Sequence, residues 1–268
     1  MTAHALPAAR WWFATFLFGV AVLLFGASLS GIFPASGHAV EPGYGSPVLA
    51  FEFARSQDDL VAIFGADTDP LQVSRLATMR SGNERDYTYM LLYAGFLACG
   101  LVALSRELGQ RRLLAVVGLP ILAALCDAHE NWLLFDIQTA FTAGDYSPSM
   151  ASLPYPVAAK FLLLALTNVA IGAAMARIGR WSMLAGTLVV VATVPTVMAV
   201  TAPESFGWTL LAAIGSGWIV LLGTAMIGTW RALVRKRPLA DAGTTARQPP
   251  APPITAAPPR RMFGRRKG

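Results

Sequence analysis

Charge is scarce in this sequence. Asp, Glu, Lys and Arg make up only 13% of its 268 residues, about half of the roughly 25% that an ordinary soluble domain carries. A water-soluble chain of this size cannot coat its surface with so few charges, so a soluble globular domain is excluded. Cysteine is scarcer still. Cys99 and Cys126, with no Cys-x-x-Cys, exclude a disulfide scaffold and a thiolate zinc site. The three histidines, His4, His38 and His129, have no second ligand at metal spacing. Neither a metal site nor a haem is implied, and no cofactor is expected.

Long apolar runs are abundant instead. A spanning helix needs about 20 largely apolar residues, and six stretches qualify: 11–31, 87–104, 113–135, 156–175, 181–200 and 207–230. The expected fold is an all-α polytopic membrane helix bundle of six transmembrane helices. The first stretch exceeds a signal-peptide apolar core of roughly 7–15 residues, so it is expected to remain as an anchor. Pro120 and Pro195 are expected to kink the third and fifth spans. Trp11, Trp12, Trp132, Trp181, Trp208 and Trp230 fall near span ends and read as interface anchors.

The basic residues divide by side. Arg10, Arg106, Arg111, Arg112, Arg177, Arg180, Arg231, Arg235, Lys236 and Arg237 flank one set of span ends. On the other side, loop 32–86 sets Arg55, Arg75, Arg80 and Arg85 against eight acids, and loops 136–155 and 201–206 contain no Lys or Arg. The positive-inside rule then makes both termini cytoplasmic and loop 32–86 extracytoplasmic, in a cell (inner) membrane. Segments 1–10 and 231–268 form the cytoplasmic ends. The latter is Pro-rich and reads as a disordered tail. It holds ten basic residues against Asp241, more than the whole chain's net +6. The high pI of about 9.7 therefore belongs to the tail and to topology, and not to nucleic-acid binding. Arg231, Arg235, Lys236, Arg237 and the basic C-terminus suit contact with anionic lipid headgroups.

Loop 32–86 is too short for a core of its own. Ser56-Gln57-Asp58-Asp59 spells a capping box opening a helix that stops at Gly65. A second helix is expected from Asp69-Pro70 through Val73, Leu76 and Met79. Both are expected to lie across the mouth of the bundle as a short helical cap.

Ionisable groups inside a bilayer cost several kcal/mol unless paired, so each is informative. Asp86, Tyr89 and Tyr93 share one face at the start of the second span. Asp127, Glu130 and Asn131 share one face of the third, at i, i+3 and i+4. Lys160 opens the fourth. Counting residues from the span ends brings all three faces to one level in the outer half of the membrane, beneath Glu52 and Arg55 of the loop. Three readings fit this constellation. It is a polar pocket that binds a lipid or small amphiphile, a buried ion-pair network that fixes helix register, or an ion or proton path. In the first, Asp127 or Glu130 also has the chemistry of an intramembrane acid/base catalyst. Spans five and six contribute no ionisable residue and read as an appended pair.

The order Phe51-Glu52-Phe53-Ala54, Asp86 with Tyr93, Asp127-x-x-Glu130-Asn131 and Lys160-Phe161 resembles a family of uncharacterised bacterial multi-pass integral membrane proteins. The resemblance covers residues 12–175 and implies that the first four spans are the functional unit. It implies no particular activity.

Overall fold

The computed structural model describes residues 5–235, and among these the chain is all-helical. The calls on Lys236, Arg237 and the Pro-rich basic tail lie outside the described residues. Eleven α-helices follow in order: α1 Ala5–Ser30, α2 Pro47–Glu52, α3 Gln57–Phe64, α4 Gln72–Leu108, α5 Leu113–Val116, α6 Gly118–Ala143, α7 Ser149–Ser152, α8 Pro154–Met175, α9 Arg180–Val191, α10 Thr193–Thr201 and α11 Pro203–Trp230. Six helical stretches are long and apolar enough to cross a membrane: α1, α4, α5–α6, α7–α8, α9–α10 and α11. Their unburied faces are apolar, with Leu24, Leu91, Leu125, Leu188 and Leu211 all exposed, as lipid contact requires.

Breaks between paired helices have a common cause. Proline has no N–H to give the carbonyl four residues back, and its ring crowds that carbonyl. The α5/α6 and α9/α10 breaks fall at Val117 and Ala192, each three residues before a proline, Pro120 and Pro195. The α7/α8 break at Leu153 likewise directly precedes Pro154.

The second helix expected in the loop differs from its expectation. It starts at Gln72 and does not stop before the span, so residues 72–86 are the projecting end of α4 and do not lie across the mouth. No proline interrupts residues 71–108, and polarity alone does not end a helix. At about 1.5 Å per residue this 37-residue helix is far longer than a hydrocarbon core of about 30 Å. The helix of the third span likewise runs on to Ala143, eight residues past the expected end.

The cap is therefore α2 and α3 alone. Ser56 accepts from the Asp59 N–H, and the Asp59 carboxylate accepts from the Ser56 N–H, completing the capping box as read. Apolar residues of this short segment turn down onto the bundle. Phe51 meets Phe64 edge-to-face at 5.1 Å, Phe64 lies 5.7 Å from Phe141 of α6, and Phe53 stacks 6.0 Å from Phe161 of α8. Asp69 ties the segment's two ends together. Its carboxylate accepts from the Leu71 N–H at 2.8 Å and from Arg75 at 2.7 Å, and lies 2.6 Å from His38 Nδ1.

Helix α11 is not an appendage. It packs on α1, α8 and α10 and against the turn Pro42–Tyr44, where a Cβ on Gly43 would overlap the Glu204 carbonyl. Only α9–α10 is peripheral, joined to α8 where Gly172 and Gly186 bring two backbones together. Trp12 also departs from the interface reading. It is 1% exposed, its Nε1 donates to Glu107 at 3.2 Å, and its indole covers Gly228.

Two outcomes follow from these contacts. Gly186→Val drives a side chain into the Gly172 carbonyl and is expected to destabilise by about 1–3 kcal/mol, the range for overpacking, read by thermal unfolding in detergent. The second concerns acid. The hydrogen bond from the Leu71 N–H, followed by that from Arg75, lowers the Asp69 pKa from 3.8 to about 2. A carboxyl with a depressed folded pKa contributes stability above its unfolded value and loses it as pH falls through the folded one. Proteolytic nicking of residues 31–71 is therefore expected to rise as pH falls from about 4 to about 2 with an acid-active protease. In Asp69→Asn, nicking is expected to be already high above that window and to show no such step.

Candidate functional site

Four elements deliver one cluster. Helix α6 presents Asp127, Glu130 and Asn131 on one face, all buried. Helix α8 presents Lys160, 4% exposed. Helix α4 brings Asp86 from its projecting end and Tyr93 from the span that follows, and the six-residue α2 ends on Glu52. The Lys160 ammonium stands at the centre. Its Nζ lies 3.1 Å from Glu52 Oε2, 3.1 Å from Asp127 Oδ1, and 2.9 and 2.8 Å from the two oxygens of Glu130. The same nitrogen sits 4.5 Å from the Phe161 ring centroid, within cation–π range. The ammonium and its three carboxyl groups are in direct contact, with no open space between Lys160 and Asp127.

A second layer holds the acids in place. Tyr93 Oη donates to Asp127 Oδ2 at 2.8 Å. Asn131 Nδ2 lies 3.2 Å from both Asp86 Oδ2 and the Asn83 carbonyl, donating toward each. Asp86 is half-buried and has no cation within ion-pair distance among the described residues. The cluster thus holds four carboxyl groups around one ammonium. Burial pushes the Glu52 carboxyl above its ordinary range, while the Lys160 ammonium pulls it back.

Seven of the nine expected site residues meet here: Glu52, Asp86, Tyr93, Asp127, Glu130, Asn131 and Lys160. Tyr89 joins only through its ring, 5.9 Å from that of Tyr93. Arg55 does not belong to the cluster. It is exposed, donates to the Ala54 carbonyl at 2.6 Å, and lies 5.9 Å over the Phe53 ring. Its guanidinium folds back on the end of α2, also donating to the Glu52 carbonyl at 3.4 Å, and makes no ion pair with the cluster's acids among the described residues.

Two participants escape the sequence reading. Trp218 of α11 packs on Tyr93 at 5.5 Å, Tyr89 at 6.3 Å and Phe96 at 6.4 Å. Its position in mid-span, unlike tryptophans at span ends, was the available signal. Asn83 enters only because α4 continues through the loop, and no local pattern marks it. A separate groove of about 540 Å³ lies between α4 and α6, lined by Val73, Leu76, Arg80, Gln138 and Thr142 among others, and it does not reach the cluster.

Comparison with known protein families, curated proteins and solved structures finds no match to this chain.

Removing one partner of a buried ion pair strands the other charges and costs about 3–5 kcal/mol. Lys160→Met is expected to destabilise the protein by that order in detergent. Adding Glu130→Gln to Lys160→Met is expected to recover part of the loss. A double variant less stable than the single one would show that the charges are not coupled through this contact.

Proposed function

We propose that this chain is an inner-membrane protein with a polar site in the outer half of the bilayer, binding the headgroup of a lipid or small amphiphile under the α2–α3 cap. The distribution of Lys and Arg supports an orientation with both termini cytoplasmic and the cap outside. Arg231 and Arg235, with Lys236, Arg237 and the basic C-terminus, would then face anionic lipid on the inner surface. The family resemblance noted on the motifs is carried in this proposal by convergence, because residues of all four pieces, Glu52, Asp86 with Tyr93, Asp127 to Asn131, and Lys160, meet in one cluster.

The observation that carries the reading is the Glu52 contact with Lys160 at 3.1 Å. A helix of six residues, outside the spans, supplies one of the partners of a buried ammonium. Lifting that helix opens the cluster from above while Asp127 and Glu130 stay in place. The contacts around Lys160 are then those of the closed state. A register-fixing pair needs one carboxyl per ammonium. Four are gathered here, and each is costly in an apolar surround.

One observation favours a second reading. The groups around Lys160 touch without a gap, as an ion-pair network that only holds the helices together would. Mass spectrometry of lipids retained by the purified protein separates the two. The binding reading expects an amphiphile at near one per chain, lost in Asp127→Asn and Glu130→Gln variants that remain folded and monodisperse. No retained amphiphile in the wild type, with both variants simply less stable, would leave the network reading in its place.

A further inference from the structure

The chemistry of the cluster restricts the headgroup, on the premise that the proposed site is a binding site. One ammonium balances one carboxylate, so three of the four carboxyl groups, those of Glu52, Asp86, Asp127 and Glu130, need protons or a cation from elsewhere. An anionic headgroup would add to the excess. It would also compete for Lys160, which already touches three carboxyl groups.

The surroundings of the unpaired acid point the same way. Asp86 stands half-buried with Asn131 as its hydrogen-bond donor. Beside it the rings of Tyr89, Tyr93 and Trp218 form a continuous wall, with centroids 5.5 to 6.3 Å apart. Aromatic faces next to carboxylates stabilise an organic cation, and desolvation strengthens the attraction. A separate observation lies one helical turn from Asp86 on α4. Asn83, 3% exposed, leaves its side-chain nitrogen without a hydrogen-bond partner, and its carbonyl is bound by the same Asn131 amide that reaches Asp86. Buried donors in folded proteins are nearly always satisfied, so this N–H is free to donate to an acceptor oxygen beside Asp86.

We infer that the site takes a single-chain amphiphile whose headgroup is a protonated amine with a hydroxyl beside it. Asp86 and the Tyr89–Tyr93–Trp218 wall receive the ammonium, and the hydroxyl oxygen accepts from Asn83. No covalent step is involved. The alkyl chain extends into the surrounding bilayer, and Lys160 keeps Asp127 and Glu130 while Glu52 moves with α2.

The test is equilibrium binding of radiolabelled 2-amino-1-dodecanol to the full chain in neutral maltoside micelles. Dodecylamine, dodecanol and dodecanoate serve as competitors. The amino alcohol is expected to bind most tightly, dodecylamine next, and dodecanol and dodecanoate at least ten-fold more weakly. Asp86→Asn is expected to weaken both amines about ten-fold and to leave the other two unchanged. Dodecanol or dodecanoate matching the amines would overturn the cationic headgroup but leave an amphiphile site standing. Equal affinity for dodecylamine and the amino alcohol would remove the role of Asn83. Saturable binding of none of the four would overturn both this inference and the site itself. The wild-type ranking decides these points even where Asp86→Asn does not fold.

Discussion

A single ammonium inside an apolar bundle sets the terms for everything around it. Lys160 cannot sit uncompensated among hydrocarbon side chains, because burying an unpaired charge costs far more than a domain's net stability can absorb. Its partners come from α6 and from the cap, so the loop must fold down to the bundle and α6 must keep one angular setting against α8. Phe53 on Phe161 and Phe64 on Phe141 provide the apolar contact that places Glu52 over the nitrogen. Tyr93 of α4 holds Asp127 of α6, and Asn131 of α6 holds Asp86 of α4. The charge contact and the aromatic seam together join three spans and an extramembrane cap into one unit.

The same constraint explains why the cluster is both stable and incomplete. Interactions around Lys160 are short and mutual, whereas among the described residues Asp86 has no cation within ion-pair distance and the Asn83 amide no acceptor. This contrast between the centre and the rim is why the proposed binding site is set beside Lys160 and not on it.

Much of this was legible because a bilayer makes the relevant signals loud. Uninterrupted apolar runs gave six spans, and the cost of charge in them singled out Asp127, Glu130 and Lys160 before any geometry was in view. Helical periodicity correctly grouped Asp127 with Glu130 and Asn131. The errors came where hydropathy was asked to do the work of backbone chemistry. The helix entering at Asp69-Pro70 read as a separate cap element because the residues before the span are polar, but nothing in them breaks a helix, and α4 runs through. Arg55 has the right charge for a lid contact, and its guanidinium rests on the Glu52 and Ala54 carbonyls of the cap, not on a carboxylate of the cluster. The position of α11 between α1 and α8, with Trp218 against Tyr93, depends on which distant helices meet. One-dimensional periodicity contains no such information.

Hydrogen–deuterium exchange across residues 47–64, comparing the wild type with Glu52→Gln, tests most directly whether the Lys160 contact holds the cap. The account predicts faster exchange in α2 and α3 of the variant, with α6 and α8 as protected as before. Unchanged protection of α2 and α3 would contradict it, since the cap would then be held by its aromatic contacts alone.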